Sequence, residues 1–379
     1  MTKLNRLQIQ GFRRLRDVQL ELRPMMVMIG ANGVGKTSLL DAVCLLSYSA
    51  SGRLSSKLSE FGGLNSVLTR GITSEISLGT SMEIPGYQPL DYELDLRTQG
   101  AGYLIRHEAL SQHRGQPSPF FHLTTEGTRV LYHDGQNLTR PDWEHDPLES
   151  ALSQVPKMYR EPEEFRKLLS TATLYHVLDV GPRAPVKLPQ PMKPATLPGA
   201  DGEDLVPLLY SLREGDKFRF EAIVDALHSA FPTFEELNFP PVAAGTLAMT
   251  WKDSSFSKPL FMHELSEGTL RFLWLAALLQ SPSLSTITMI DEPEVSLHPE
   301  LLSLLAGLMR EASTRTQLII ATHSDRLIRL LRADEVVVMD SDEDGFTQAT
   351  WSDKLDLDKW LADYTLDEVW RMGRMGARA

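Results

Sequence analysis

The sequence of 379 residues holds a single cysteine, Cys44, so no disulfide within the chain can support its fold. No apolar run approaches the roughly 18 residues that a membrane-spanning helix needs. The opening stretch to Leu20 lacks the uninterrupted apolar segment of a signal peptide, and the expected location is the cytoplasm. There is no internal repeat and no long heptad run, which excludes a solenoid and a long coiled-coil arm. His107, His113, His122 and His133 show no zinc-like Cys/His spacing. What is present, 42% hydrophobic and 23% charged residues, is the mix of a globular chain and excludes a disordered or fibrous one. At roughly 100–200 residues per domain the length allows two or three domains, or one large domain with an insertion.

The net charge of −12 is unevenly spread. Residues 1–70 hold ten Lys and Arg against four Asp and Glu, a net of +6. Residues 334–368 hold twelve acids and two lysines, a net of −10, and the last eleven residues add Arg371, Arg374 and Arg378. A total of this sign argues against nucleic acid as a partner. A local basic patch reopens the question, because binding depends on the patch and not on the sum. Arg13, Arg14, Arg16, Arg53, Lys57 and Arg70 are the candidates for such a patch. A solvated face explains them equally well.

Alternation at Leu4–Ile9 and again at Val18, Leu20 and Leu22 predicts two half-buried strands. The apolar run Met25–Ile29 predicts a buried strand, and Ser38–Tyr48 has helical spacing. Short alternating segments between 74 and 133 predict an antiparallel meander. Six prolines within 182–198 forbid a continuous helix or strand there and predict a linker or surface loop. After Pro259 strands and helices alternate, as expected of a mostly parallel sheet with helices packed on it.

Four motifs carry chemistry. Gly30-Ala31-Asn32-Gly33-Val34-Gly35-Lys36-Thr37, between a strand and a helix, is a complete G-x-x-x-x-G-K-[ST]. Backbone N–H groups of such a loop, Ser38 included, can surround a phosphate at the positive end of the helix. Lys36 can reach the β- and γ-phosphates, and the Thr37 hydroxyl can ligate Mg²⁺. The strand Thr286–Ile290 ends in Asp291-Glu292. Asp291 is placed to support Mg²⁺ and Glu292 to polarise a water. Leu265-Ser266-Glu267-Gly268 opens a buried helix. Ser266 and Gly268 there can form an anion site, or Ser266 can be an ordinary N-cap. Ala321-Thr322-His323-Ser324 follows a core strand, where His323 can meet a phosphate or lie in the core.

Taken together, the four motifs resemble an ABC-type ATPase head. Gly30–Thr37 matches the Walker A loop, Leu265–Gly268 the signature, Ile290–Glu292 Walker B, Ser296–Pro299 the D-loop and His323 the switch histidine. The phrases Asp291-Glu292-Pro293-Glu294, Leu297-His298-Pro299 and Glu368–Gly373 are similar to those of single-chain bacterial ATPases of the OLD, RecF and SMC group. Glu267 stands where the signature usually has Gly, and no Q-loop glutamine is placed among Gln88, Gln112 and Gln116. The resemblance implies an α/β P-loop head with a mostly parallel core sheet, an N-terminal antiparallel β lobe and a helical insertion. The expected divisions are 1–140, 141–258 and 259–379. It further implies ATP and Mg²⁺ as cofactors. Lys36, Glu292 and His323 would be catalytic, and Thr37 and Asp291 would hold the metal. A head-to-head homodimer is implied, with Ser266 and Gly268 touching the partner's nucleotide. The implied role is DNA processing or defence against phage, with DNA and a separate nuclease or other effector as candidate partners.

Related nucleases add a Toprim domain. Asp340-Ser341-Asp342 imitates its D-x-D, but the 55 residues after Ser324 are too few for such a site, and a hairpin at Asp342–Gly345 is expected instead. Two alternatives accompany the ATPase switch: a nucleotide-gated scaffold with negligible turnover, and a transporter ATPase subunit.

Overall fold

Our computed structural model describes residues 3–376 apart from positions 84, 87, 127, 128 and 142, with the backbone alone of Glu126 and Asp358. Arg378 therefore lies outside the described residues. The chain forms two units. One comprises Met1–Leu174, Ser285–Met289 and Arg332–Ala379, the other Tyr175–Leu284 and Ile290–Leu331.

The first unit carries the expected antiparallel lobe. Its eight strands run in the order Leu15–Glu21, Lys3–Phe12, Glu75–Glu83, Leu90–Gln99, Gly102–Gln112, Phe120–Glu126, Arg129–His133 and Leu138–Thr139. The period-two pattern read from the sequence is realised as one row across the sheet. Leu20, Leu7, Thr80, Tyr92, Leu110, Leu123 and Tyr132 face one another in register, all buried. Next to that row Glu108 is a buried polar exception. Its carboxylate accepts from the Tyr92 and Ser150 hydroxyls (2.9 and 2.7 Å) and from the N–H groups of Ala151 and Leu152 (2.7 and 2.9 Å). Burial nevertheless pushes its pKa above the usual carboxylate range. Glu108 thus ties the chain at 150–152 to the sheet.

In the same unit the wholly buried strand Met25–Ile29 pairs in parallel with Val336–Ser341, which turns back antiparallel into Thr347–Trp351. The hairpin expected at Asp342–Gly345 is that turn, closed by Asp342 N–H to the Phe346 carbonyl (2.8 Å). The uneven charge also finds its explanation here. Arg16 pairs with Asp342 and Asp344 (both 3.1 Å), Arg23 with Asp353 (2.8 Å) and Lys354 with Glu21 (3.4 Å). The acidic C-terminal stretch neutralises part of the basic N-terminal one.

The second unit is built around the helix Glu267–Gln280, in which every residue from Phe272 to Gln280 is buried. A helix apolar all round is packed on several sides. The helices Leu205–Gly215, Lys217–Ala230 and Leu301–Ala312 contact it. A small antiparallel sheet of Phe234–Asn238, Thr250–Asp253 and Leu260–Phe261 and the buried strand Gln317–Ala321 complete the unit. The proline-rich stretch is more ordered than a linker. Gln190–Pro191 pairs with Thr246–Leu247, and the buried Gln190 side chain donates to the Pro185 and Gly202 carbonyls (3.0 and 2.6 Å) and accepts from Val206 N–H (2.9 Å). A side chain supplies the hydrogen bonds that prolines cannot.

Candidate functional site

In the first unit the buried strand Met25–Ile29 delivers the chain into the loop Gly30–Gly35, and the helix Lys36–Ala50 leaves it. Gly35 is the N-cap of that helix and supplies no capping side chain. Its φ of 111° lies in the left-handed region, and a Cβ there would stand 2.5 Å from Thr347 Oγ1. That hydroxyl donates to the Val34 carbonyl (2.6 Å), while Thr347 N–H donates to Arg14 O (3.0 Å). Thr347 therefore braces the loop from a strand more than 300 residues on. Nothing in the sequence around it marks this role.

Lys36 is 5% exposed, and its ammonium donates to the carbonyls of Gly30 (2.6 Å) and Ala31 (3.0 Å). Its charge is thus held inside the loop. Asn32, Gly33 and Thr37 are exposed, Ala31 and Ser38 half-buried and Val34 buried. One turn on, Asp41 receives Arg13 Nη1 at 2.5 Å, and the Arg13 guanidinium also covers the rings of Phe12 and Phe61.

The strand Ile287–Asp291 ends, within the second unit, at an 18% exposed Asp291 and a 43% exposed Glu292. Glu292 has a φ of 52°, and its N–H bonds the Ala321 carbonyl at 2.9 Å. A positive φ at a non-glycine costs about 1 kcal/mol or more and collects at functional sites. His323 Nε2 stands 3.9 Å from Glu292 Oε1. So this unit brings Asp291, Glu292 and His323 together at adjacent strand ends.

Glu294 links the two loops. Its Oε1 accepts from Thr322 Oγ1 (2.5 Å) and from His323 N–H (3.1 Å), while its Oε2 is buried without a hydrogen-bond partner. Burial pushes the carboxyl above its usual range. The sequence showed Glu294 only as part of a motif; its hold on the histidine needs the fold.

Ser266 caps the helix Glu267–Gln280, accepting from Thr269 N–H at 3.1 Å. Both Ser266 and Glu267 are exposed, and Gly268 is half-buried. A Cβ on Gly268 would come within 2.7 Å of the Ser296 carbonyl. The glycine is thus required within this copy, whatever it does toward a partner. Arg271 donates from Nη1 to Ser296 Oγ (2.6 Å) and from Nε to the Leu178 carbonyl (3.3 Å).

Of the candidate glutamines, Gln112 and Gln88 meet in the first unit. Gln112 is buried in the β lobe, donating to the Gln88 carbonyl at 2.7 Å and accepting from Arg114 at 2.9 Å. Beside Asp291 stands instead His176, with Nδ1 4.0 Å from Asp291 Oδ2. Sequence reasoning missed it, because no motif surrounds it.

Thr37 in the first unit and Asp291 in the second each offer a hard oxygen donor of the kind a divalent cation takes, and no cluster of three or more metal-binding side chains occurs among the described residues. Phosphate oxygens and waters would have to complete the shell of an ion held by either.

The fold is similar to that of SMC head domains. An SMC head bound to the C-winged helix domain of ScpA matches with a TM-score of 0.54 at 14% identity, covering 95% of this chain and 99% of that one. An SMC head with an extended coiled coil, bound to the C-terminal domain of ScpA, from Pyrococcus furiosus, matches with a TM-score of 0.56 at 12% identity, covering 96% and 99%. No curated protein matches significantly. The family model described as "AAA domain, putative AbiEii toxin, Type IV TA system" matches residues 25–329, and the chain belongs to that family.

Proposed function

We propose that the chain is a Mg·ATP-hydrolysing switch whose copies close head to head on two nucleotides and reopen after hydrolysis. The observation that carries the reading is the grouping of Asp291, Glu292 and His323, with the carboxylate and imidazole 3.9 Å apart. In this reading the N–H groups of Gly30–Ser38 cradle the phosphates, and Lys36 neutralises the β- and γ-oxygens. Thr37 and Asp291 hold Mg²⁺, which when bound offsets charge on the phosphates. Glu292 takes the proton of the attacking water, and His323 donates to the γ-phosphate. Ser266 and Gly268 meet the nucleotide of the other copy. The core sheet is mostly parallel, and 141–258 is an insertion between ATPase lobes at 1–140 and 259–379.

The proposed setting is cytoplasmic DNA processing or anti-phage defence with a separate effector. Among the described residues no helix is long and apolar enough to cross a membrane. A DNA contact would rest on Arg14, Arg53 and Arg70, since Arg13, Arg16 and Lys57 are paired with acids.

Steady-state phosphate release tests the reading. Wild type should turn over ATP, and Lys36→Ala and Glu292→Gln should each lose about 10²-fold or more. Wild-type protein that binds ATP but releases no phosphate, even with DNA and the effector present, would make the chain a nucleotide-gated scaffold.

A further inference from the structure

The second unit places one more side chain at Asp291 than the proposed mechanism uses. His176 Nδ1 lies 4.0 Å from Asp291 Oδ2, too far for a hydrogen bond. The two residues line one small cleft with Leu178, Arg271, Glu292 and Val295. Arg271 fixes the wall of this cleft, because it bonds the Leu178 carbonyl and Ser296 together. The backbone two residues past His176 is therefore held. The ring itself is 66% exposed and can turn.

The spacing is informative. An octahedral cation with bonds of about 2.1 Å sets neighbouring donors about 3 Å apart and opposite donors about 4.2 Å apart. The carboxylate and imidazole stand between these limits, so a small ring rotation brings both onto one ion. The chemistry of the second donor also matters. Mg²⁺ takes oxygen almost exclusively, whereas a neutral imidazole suits later divalent ions, and Mn²⁺ accepts both oxygen and nitrogen. With no third metal-binding side chain in a cluster among the described residues, the ion would enter with the nucleotide.

We propose that His176 is a nitrogen ligand of the divalent cation held by Asp291, and that it makes the site select Mn²⁺ over Mg²⁺. This rests on the nucleotide-binding reading above. The test uses the full chain with Mn²⁺ and a non-hydrolysable ATP analogue, and reads the bound ion by pulsed electron paramagnetic resonance. Protein carrying ¹⁵N only in histidine should shift the nitrogen modulation of the Mn²⁺ signal. His176→Ala should abolish that modulation and weaken Mn²⁺ binding about tenfold, while Mg²⁺ binding changes less than about threefold. His323→Ala should keep the modulation. His176→Leu, which is close in size and carries no donor atom, should behave as His176→Ala and exclude a packing effect, with the thermal midpoint confirming the fold. Bound Mn²⁺ without histidine coupling, or unchanged Mn²⁺ affinity in His176→Ala, overturns the proposal and leaves the ATPase reading intact. Failure of wild type to bind the Mn²⁺ nucleotide at all overturns both.

Discussion

Glu294 Oε1 accepts the backbone N–H of His323 at 3.1 Å, so the loop that carries the histidine is fastened to the loop that carries Glu292. The other carboxylate oxygen has no partner. One oxygen does the positioning, and an amide can replace the carboxylate. Glu294→Gln should keep most of the turnover. Glu294→Ala should lower kcat about tenfold or more with little change in KM, because nucleotide contacts are untouched. Equal losses in both variants would show that the charge is what counts.

Thr347 predicts a separable effect on nucleotide affinity. Thr347→Val keeps the shape but leaves the buried Val34 carbonyl without its 2.6 Å donor. The cost of an unsatisfied buried acceptor is about 1–3 kcal/mol. Nucleotide affinity, measured by titration with a fluorescent ATP analogue, should fall about five- to tenfold while the antiparallel lobe stays folded by circular dichroism. Unchanged affinity would show that the brace is not needed to shape the loop.

Gly268 predicts a stability loss that has nothing to do with a partner. An added methyl would meet a backbone carbonyl at 2.7 Å, and backbone cannot turn aside as a side chain can. Gly268→Ala should destabilise the isolated chain by about 1–3 kcal/mol, read as a lower urea midpoint. A midpoint equal to wild type would remove the contact with Ser296 as the reason for glycine here.

His122 predicts a pH dependence. Burial in the β lobe pushes its pKa down from 6.5 to about 4. A depressed imidazole binds its proton more readily in the unfolded chain. Its contribution to stability is therefore full above pH 6.5 and is lost as the pH falls from there toward 4. Over that window the loss is about 2–3 kcal/mol. Urea midpoints between pH 7.5 and 4.5 should fall less steeply in His122→Gln than in wild type. Parallel slopes would contradict the assignment.

How much of this was legible in the sequence depends on the range of the interaction. The lobe strands were readable because burial on one face writes a period of two into each of them, as at Leu7 and Ile9. Gly30–Thr37 was readable because a phosphate loop needs its residues consecutive. Thr347, Glu294 and His176 were not, because each acts across the fold on a residue distant in the chain, or with no motif around it. The pairing of the basic and acidic stretches was hidden for the same reason. Arg16 and Asp342 are 326 positions apart, and only the hairpin brings them within 3.1 Å. The prolines at 182–198 suggested a passive loop because the sequence does not show that Gln190 is buried and triply bonded.

In the proposed cycle ATP closes two copies on each other and Glu292 reopens them. The most direct measurement is the mass of Glu292→Gln by light scattering after gel filtration, with and without Mg·ATP. The variant should be a monomer without nucleotide and a stable dimer with it, and a monomer again when Lys36→Ala is added. A Glu292→Gln protein of the same mass in both conditions, with ATP shown to be bound, would contradict it.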